Sequence, residues 1–196
     1  MTTRVERMGA LLGLLLFLLA GRSLAQEPEY PWLRFEQTPG AESSIPADKR
    51  TLSADWRDEL AAEDHAIADV FRRTTIELQP GGKLTERAIF VRQLLSPTGV
   101  RNHGRLRHWV RPSFSRVTVE EAWVQLPDGR IVDFDLSTLQ VQSDSDPALF
   151  SDGQVLNFEF SHLEPGATIA LVIREENDLD RWPLPWARYW AQLLIF

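Results

Sequence analysis

Residue types that commonly carry out catalysis occur in this 196-residue sequence but do not form a known catalytic pattern. Cysteine is absent, which excludes a thiol nucleophile and a cysteine-ligated metal. Serine is frequent, but the Gly-x-Ser-x-Gly sequence of many serine hydrolases is absent. The four histidines, which lack the His-x-x-x-His spacing of a helical zinc site, are His65, His103, His108 and His162. We therefore predict that the chain is not an enzyme and uses no metal or other cofactor.

Carboxylates are the remaining candidates for catalysis or metal binding. One group, whose spacing differs from the calcium loop of EF-hands, consists of Asp133, Asp135, Asp144, Asp146 and Asp152. Asp133 and Asp135 are expected to face solvent from an alternating strand. Glu120 and Glu121 could form the acid/base pair of a glycosidase, but adjacent strand residues point to opposite faces. A carboxylate-dependent hydrolase is an alternative function, and it requires a pocket that joins two carboxylates to a histidine.

Tryptophan is abundant, with seven residues in the chain. Trp109 and Trp123 fall in predicted strands, and alternation places Trp123 on the face opposite Ala122 and Val124, outside the main core. An exposed aromatic ring on a sheet face can bind a sugar or a peptide. Trp109 and Trp123 are therefore candidate ligand-binding residues. For Trp123 we favour packing against the N-terminal helix or the C-terminal segment.

The first 25 residues have the pattern of a signal peptide. Arg4 and Arg7 precede an uncharged apolar stretch at 8–20, and small residues lead up to a cleavage site after Ala25. As a helix this stretch reaches about 20 Å, which is short of the roughly 30 Å hydrocarbon core of a membrane. The sequence thus predicts a periplasmic or secreted protein that contacts the membrane only before cleavage. The formal charge of −7 argues against binding to nucleic acid.

The elements that position these residues are mostly strands. Ser53 can cap a short helix over 53–66. The runs 70–78 and 84–95 alternate about a Gln-Pro-Gly-Gly turn, which predicts a hairpin. Residues 136–150 are irregular, and the apolar run 168–174 is typical of a central strand. Frequent turns and the absence of a second long helical pattern predict a mainly β fold, an antiparallel β-sandwich with a short N-terminal helix.

A second hairpin is predicted from 116–126 and 131–136, joined by Pro-Asp-Gly-Arg. Val117 and Val119 occupy one phase of the first strand, whereas Ala122 and Val124 occupy the other. The phase changes at Glu120 and Glu121. One extra residue in the strand would bring both apolar sets to the same face, so we expect a β-bulge here.

The run 67–177 resembles the bacterial domain of unknown function DUF3857. The resemblance rests on the step from Leu95 to Gly99, the alternating core that ends in Pro127-Asp128-Gly129, and the Leu-Glu-Pro-Gly turn before the apolar strand at 168–174. It implies an immunoglobulin-like β-sandwich. Such domains stand on the N-terminal side of a transglutaminase-like domain in exported proteins, and no function is established for them.

These observations predict a signal peptide at 1–25, an extended lead-in with a short helix at 26–66, and the β-sandwich domain at 67–196. The apolar ending Leu-Leu-Ile-Phe suggests that this domain is incomplete at its C-terminus. The predicted function is that of a non-catalytic exported accessory domain whose partner is a downstream transglutaminase-like domain or another envelope protein. A carbohydrate- or peptide-binding module that uses exposed tryptophan is the first alternative.

Overall fold

A computed structural model describes residues 30–38, 42–143 and 152–178 of the chain. The predicted signal peptide with its cleavage site after Ala25 and the C-terminal segment with its apolar ending lie outside these residues. The described residues from Trp32 onward belong to one compact unit. Within the described ranges, no helix has the length and apolarity needed to span a membrane.

The structure is mainly β, as predicted, and contains a short helix near the N-terminus. In chain order, the strands are β1 (Leu33–Phe35), β2 (Ile67–Gln79), β3 (Lys83–Leu94), β4 (Arg105–Val110), β5 (Ser115–Gln125), β6 (Ile131–Asp133), β7 (Gln140–Ser143), β8 (Gln154–Glu159) and β9 (Thr168–Asp178). The helices are α1 (Ala54–Ala62) and α2 (Pro97–His103). Short 3-10 turns lie at Ala47–Lys49 and Leu136–Thr138.

The strands form a large and a small sheet. The large sheet has the order β1-β5-β9-β3-β2, and β6 also pairs with β5. The small sheet has the order β4-β8-β7. The pairings are antiparallel except for β1, which lies parallel to β5. Strand β9 lies between β5 and β3, which confirms its prediction as a central strand.

Alternating apolar residues build a core on the inner side of both sheets. Ile169 and Leu171 of the large sheet are buried, as are Leu156 and Phe158 of the small sheet. The ring of Phe134, which follows β6, lies 5.5 Å from that of Phe158. Burying each side chain of this size stabilises the fold by roughly 1.5–3 kcal/mol.

The predicted hairpins are present. Strands β2 and β3 pair across the predicted turn, where Gly81 and Gly82 have positive φ angles of 87° and 74° that other residues rarely adopt. The pairing of β5 with β9 shifts register between Val119 and Glu121, which confirms the β-bulge. The bulge makes Val119 and Ala122 both buried although they are three positions apart.

Three local predictions were wrong. Strand β6 ends at Asp133, because the Asp135 side chain accepts a hydrogen bond from Ser137 N and starts a 3-10 turn instead. The segment predicted as irregular contains β7, which pairs with β8. Helix α2, where only a turn was expected, begins after Ser96, whose side chain accepts from Gly99 N. Gly99 packs so closely on the Ala66 carbonyl that a side chain there would clash.

Candidate functional site

Trp123 lies in the core of the lead-in face, the side of the large sheet on which residues 36–38 and 42–50 of the lead-in lie. Its side chain is 3% exposed, so the structure contradicts its assignment as an exposed ligand-binding residue. As predicted, it lies opposite the inner core. Ile45 of the lead-in, which is fully buried, belongs to the same cluster as Trp123. Packing against the N-terminal helix or the C-terminal segment had been expected, and that segment lies outside the described residues. The guanidinium of Arg50 lies 6.0 Å from the centre of its ring. The buried cluster contains Ile45, Ile89, Val91, Trp123, Ala170 and Val172.

The bulge brings the carboxylates of Glu120 and Glu121 into one polar network on this face, which corrects the expectation that they point to opposite faces. Glu120 accepts hydrogen bonds from Arg87 Nε at 2.6 Å and Arg174 Nε at 3.0 Å. Glu121 accepts from the Ser43 hydroxyl and from Ser44 N. Alternation failed here because a bulge inserts a residue between the regular positions.

Glu121 connects the lead-in to the large sheet through hydrogen bonds. Burial raises the pKa of its carboxyl group, but hydrogen bonds from Ser43, Ser44 and Trp123 outweigh this effect and hold the pKa below its ordinary value of 4.5. The carboxylate is therefore ionised at neutral pH and poorly suited to act as a general acid. Gln37 forms a second connection between the lead-in and β5, because its side-chain amide forms two 3.0 Å hydrogen bonds with the backbone of Ala122.

Two of the clefts that are lined by described residues lie along the large sheet. One of about 180 Å³ lies along the lead-in, between Glu36, Glu121 and Asp133. The other, of about 330 Å³, lies near the end of β9 between Lys83, Phe114 and Arg116. No histidine lines either cleft. Among the described residues, no cluster of histidine and carboxylate side chains has the arrangement of a metal site.

His108 contacts the carboxylate of Glu175 between the two sheets. Its Nε2 lies 3.1 Å from Glu175 Oε2, and both side chains are largely buried. His108 is on the inner side of β4 and Glu175 is on β9, so this contact ties the small sheet to the large one. The hydrolase alternative requires a histidine and two carboxylates in one pocket. The structure brings His108 to one carboxylate, at a position that lines neither cleft.

Trp109 occupies the outer face of the small sheet, and 42% of its surface is exposed. Cross-strand register places it in a row with Val155 and Gln142. The next row contains Arg107, Asn157 and Gln140. Paired residues of neighbouring strands project on the same side of a sheet. We call this surface, formed by the outward residues of β4, β8 and β7, the small-sheet face.

Arg111 supports the indole of Trp109. Its guanidinium carbon lies 4.5 Å from the centre of the Trp109 ring and 5.9 Å from that of Phe114. Such cation–π contacts contribute about 0.5–1 kcal/mol at exposed positions. The Trp109 side chain thus extends from a paired strand and packs against the Arg111 guanidinium. These two contacts favour one orientation of the indole ring.

The sequence indicated only part of this surface. Trp109 was identified as a candidate because it falls in a strand, and the structure places it on an exposed face. Gln140 and Gln142 were not identified, because β7 was not predicted. The signal that could have found them is the alternation Gln-Val-Gln in the first half of the run that was predicted to be irregular.

Comparison with known proteins connects the chain to one family and one fold. The family model of DUF3857, described as a domain of unknown function with a solved structure, matches residues 80–183, more than half of the chain. No curated protein matches.

A crystal structure described as that of a "putative protease" from Parabacteroides distasonis has a similar fold, with a TM-score of 0.53. The sequences are 19% identical, so the likeness concerns the fold alone. The match covers 57% of this chain and 23% of that chain. This chain therefore spans well under half of the protein that it resembles.

Proposed function

We propose, since this chain belongs to the DUF3857 family, that it is a non-catalytic, ligand-binding domain that serves a larger exported protein. The family supplies no activity, so the proposal depends on the surface of this chain. The observation that carries it is the small-sheet face, where a supported and exposed Trp109 adjoins rows of amide and guanidinium side chains. Aromatic rings with nearby polar groups are typical of recognition surfaces.

The contacts of the acidic residues support a non-catalytic role. Glu120 is held by two arginines and Glu121 by the lead-in. These hydrogen bonds stabilise the fold. Each carboxylate would have to lose its own hydrogen bonds before it could exchange a proton with a substrate. His108 is similarly engaged between the sheets.

The proposed location and the proposed partner rest on the sequence. Residues 1–25 have the signal-peptide pattern, which favours a periplasmic or secreted location. The resemblance to domains that precede a transglutaminase-like domain makes such a domain the proposed partner. Similarity to 23% of a longer chain supports a role as one part of a larger protein.

Substitution of Trp109 tests this proposal. We would titrate the chain with cellohexaose, a hexagalacturonate and a hexaglutamate peptide, and follow binding by calorimetry. At least one probe is expected to bind, and Trp109→Ala should weaken that binding by about tenfold or more because the stacking surface is lost.

Trp56→Ala provides the matched control, since Trp56 on α1 is 59% exposed and lies outside the small-sheet face. Its affinity should equal that of the unmodified chain. Binding that survives Trp109→Ala, or the absence of binding by all three probes, would contradict the proposal.

A further inference from the structure

We infer that the ligand of the small-sheet face is an anionic carbohydrate, with a sugar ring on Trp109 and a sugar carboxylate on Arg107. This inference rests on the proposed function, which supplies the surface but not the chemistry of its ligand. Three features support it: the positive charge of the small-sheet face, the Arg107 guanidinium, which has no partner among the described residues, and the amide groups of the neighbouring strands.

The small-sheet face is positively charged in an acidic protein. The chain has a formal charge of −7. Arg105 and Arg107 nevertheless project from this face, and Arg111 lies beside it on Trp109. Glu159 is the one acidic residue among the paired outward positions, and it forms a 3.2 Å ion pair with Arg105. The surplus of positive charge therefore favours an anionic ligand.

Arg107 has no hydrogen bond or ion pair within the described residues, unlike Arg105. Its guanidinium is exposed and can take a carboxylate in the two-point geometry that arginine prefers. It lies two residues from Trp109 on one side of β4, so their backbones are about 7 Å apart. A sugar stacked on the indole could therefore present its own carboxylate, or that of the next sugar, to Arg107.

The remaining side chains suit hydroxyl groups. Gln140 and Gln142 flank the face from β7, and each amide can both donate and accept hydrogen bonds. Val155 and Asn157, between them and β4, are 8% and 4% exposed, so the groups open to a ligand lie on the two flanking strands. A sugar chain offers a ring face to the indole and hydroxyl groups to the amides, whereas an acidic peptide offers its carboxylates without such a ring, so we favour the carbohydrate.

The experiment compares affinities for hexagalacturonate, cellohexaose and hexaglutamate in the full chain and in Arg107→Gln. Hexagalacturonate should bind most tightly, and Arg107→Gln should weaken it by about tenfold, the value of one charge-assisted hydrogen bond. The matched control is Arg73→Gln, because Arg73 is likewise exposed on a strand but lies in the large sheet. This control should bind like the unmodified chain.

The other outcomes separate two kinds of failure. Equal affinity for cellohexaose and hexagalacturonate, with binding that depends on Trp109, would overturn the anionic ligand and leave the binding surface intact. Tighter binding of hexaglutamate would overturn the carbohydrate in favour of a peptide. If the binding of no probe is weakened by Trp109→Ala, the proposed function itself is contradicted.

Discussion

At the scale of single residues, the two tryptophans that were predicted as candidate ligand-binding residues have opposite surroundings. Trp123 is covered by Ile45 and donates a 3.1 Å hydrogen bond to Glu121 from its indole nitrogen. Trp109 stands on a solvent-facing row with Arg111 on its ring. The same residue type is therefore part of a buried cluster in one case and exposed in the other, because the described residues of the lead-in pack on the large sheet around Trp123.

The pH dependence of stability reports on Glu121. Its pKa is lowered in the folded chain, so its contribution is present above its ordinary value of 4.5 and is lost as pH falls through the folded pKa. Glu121→Gln should lower the free energy of unfolding by about 1 kcal/mol near neutral pH, after allowance for solvent screening. The difference from the unmodified chain should shrink as the pH falls below 4.5 and through the lowered pKa of the folded chain.

Urea unfolding between about pH 3 and pH 7 measures this difference. Glu77→Gln serves as the control, because Glu77 is an exposed strand residue without a partner among the described residues. A gap between Glu121→Gln and the unmodified chain that stays constant over this range would show that the charge of Glu121 does not hold the lead-in.

At the scale of elements, the bulge in β5 sets which side chains reach the core. Deleting Glu120 removes the extra residue, so either Val117 and Val119 or Ala122 and Val124 must turn to the wrong face. We expect the deletion to cost roughly 3 kcal/mol or more, since several buried side chains lose their environment. Glu120→Ala keeps the residue count and should cost about 1 kcal/mol, from the loss of two partly exposed ion pairs.

Thermal unfolding followed by circular dichroism distinguishes these variants. The near-ultraviolet signal of buried tryptophan should be retained in Glu120→Ala and strongly reduced in the deletion. If both variants unfolded at the same temperature with native-like spectra, the bulge would not be needed to align the two halves of β5.

The sequence was most informative where strands have their own apolar alternation. The halves of β5 carry opposite phases, so the bulge between them could be located from the residues alone. Strand β7 has a single apolar residue, Val141, and is stabilised by pairing with β8, which local propensity does not reveal. Strand β1 likewise depends on its parallel pairing with β5, which was not predicted.

The candidate site followed the same rule. Trp109 could be recognised from its type and strand position. Its neighbours Gln142 and Asn157 come from strands that follow it by more than thirty residues, and only register brings them together. The partners of Glu121 were missed because the lead-in was predicted only to be extended, whereas Ile45 within it is fully buried.

At the scale of the whole molecule, the two sheets have different tasks. The large sheet is buried on its inner side by the core and on its other side, around Trp123, by the lead-in. The small sheet has a buried inner side and an outer side with exposed Trp109 and Arg107. In this account the large sheet stabilises the domain, and the small sheet presents the ligand-binding surface to the outside of an otherwise acidic protein.

Amide and indole chemical shifts of the isotope-labelled chain, recorded while hexagalacturonate is added, test this division most directly. We predict that the shifted signals cluster on β4, β7 and β8 and include the indole of Trp109, assigned with Trp109→Phe. Signals near Trp123 and Ser43 should stay unchanged. Shifts concentrated along the lead-in cleft, or no shifts at saturating probe, would contradict the assignment of ligand binding to the small-sheet face.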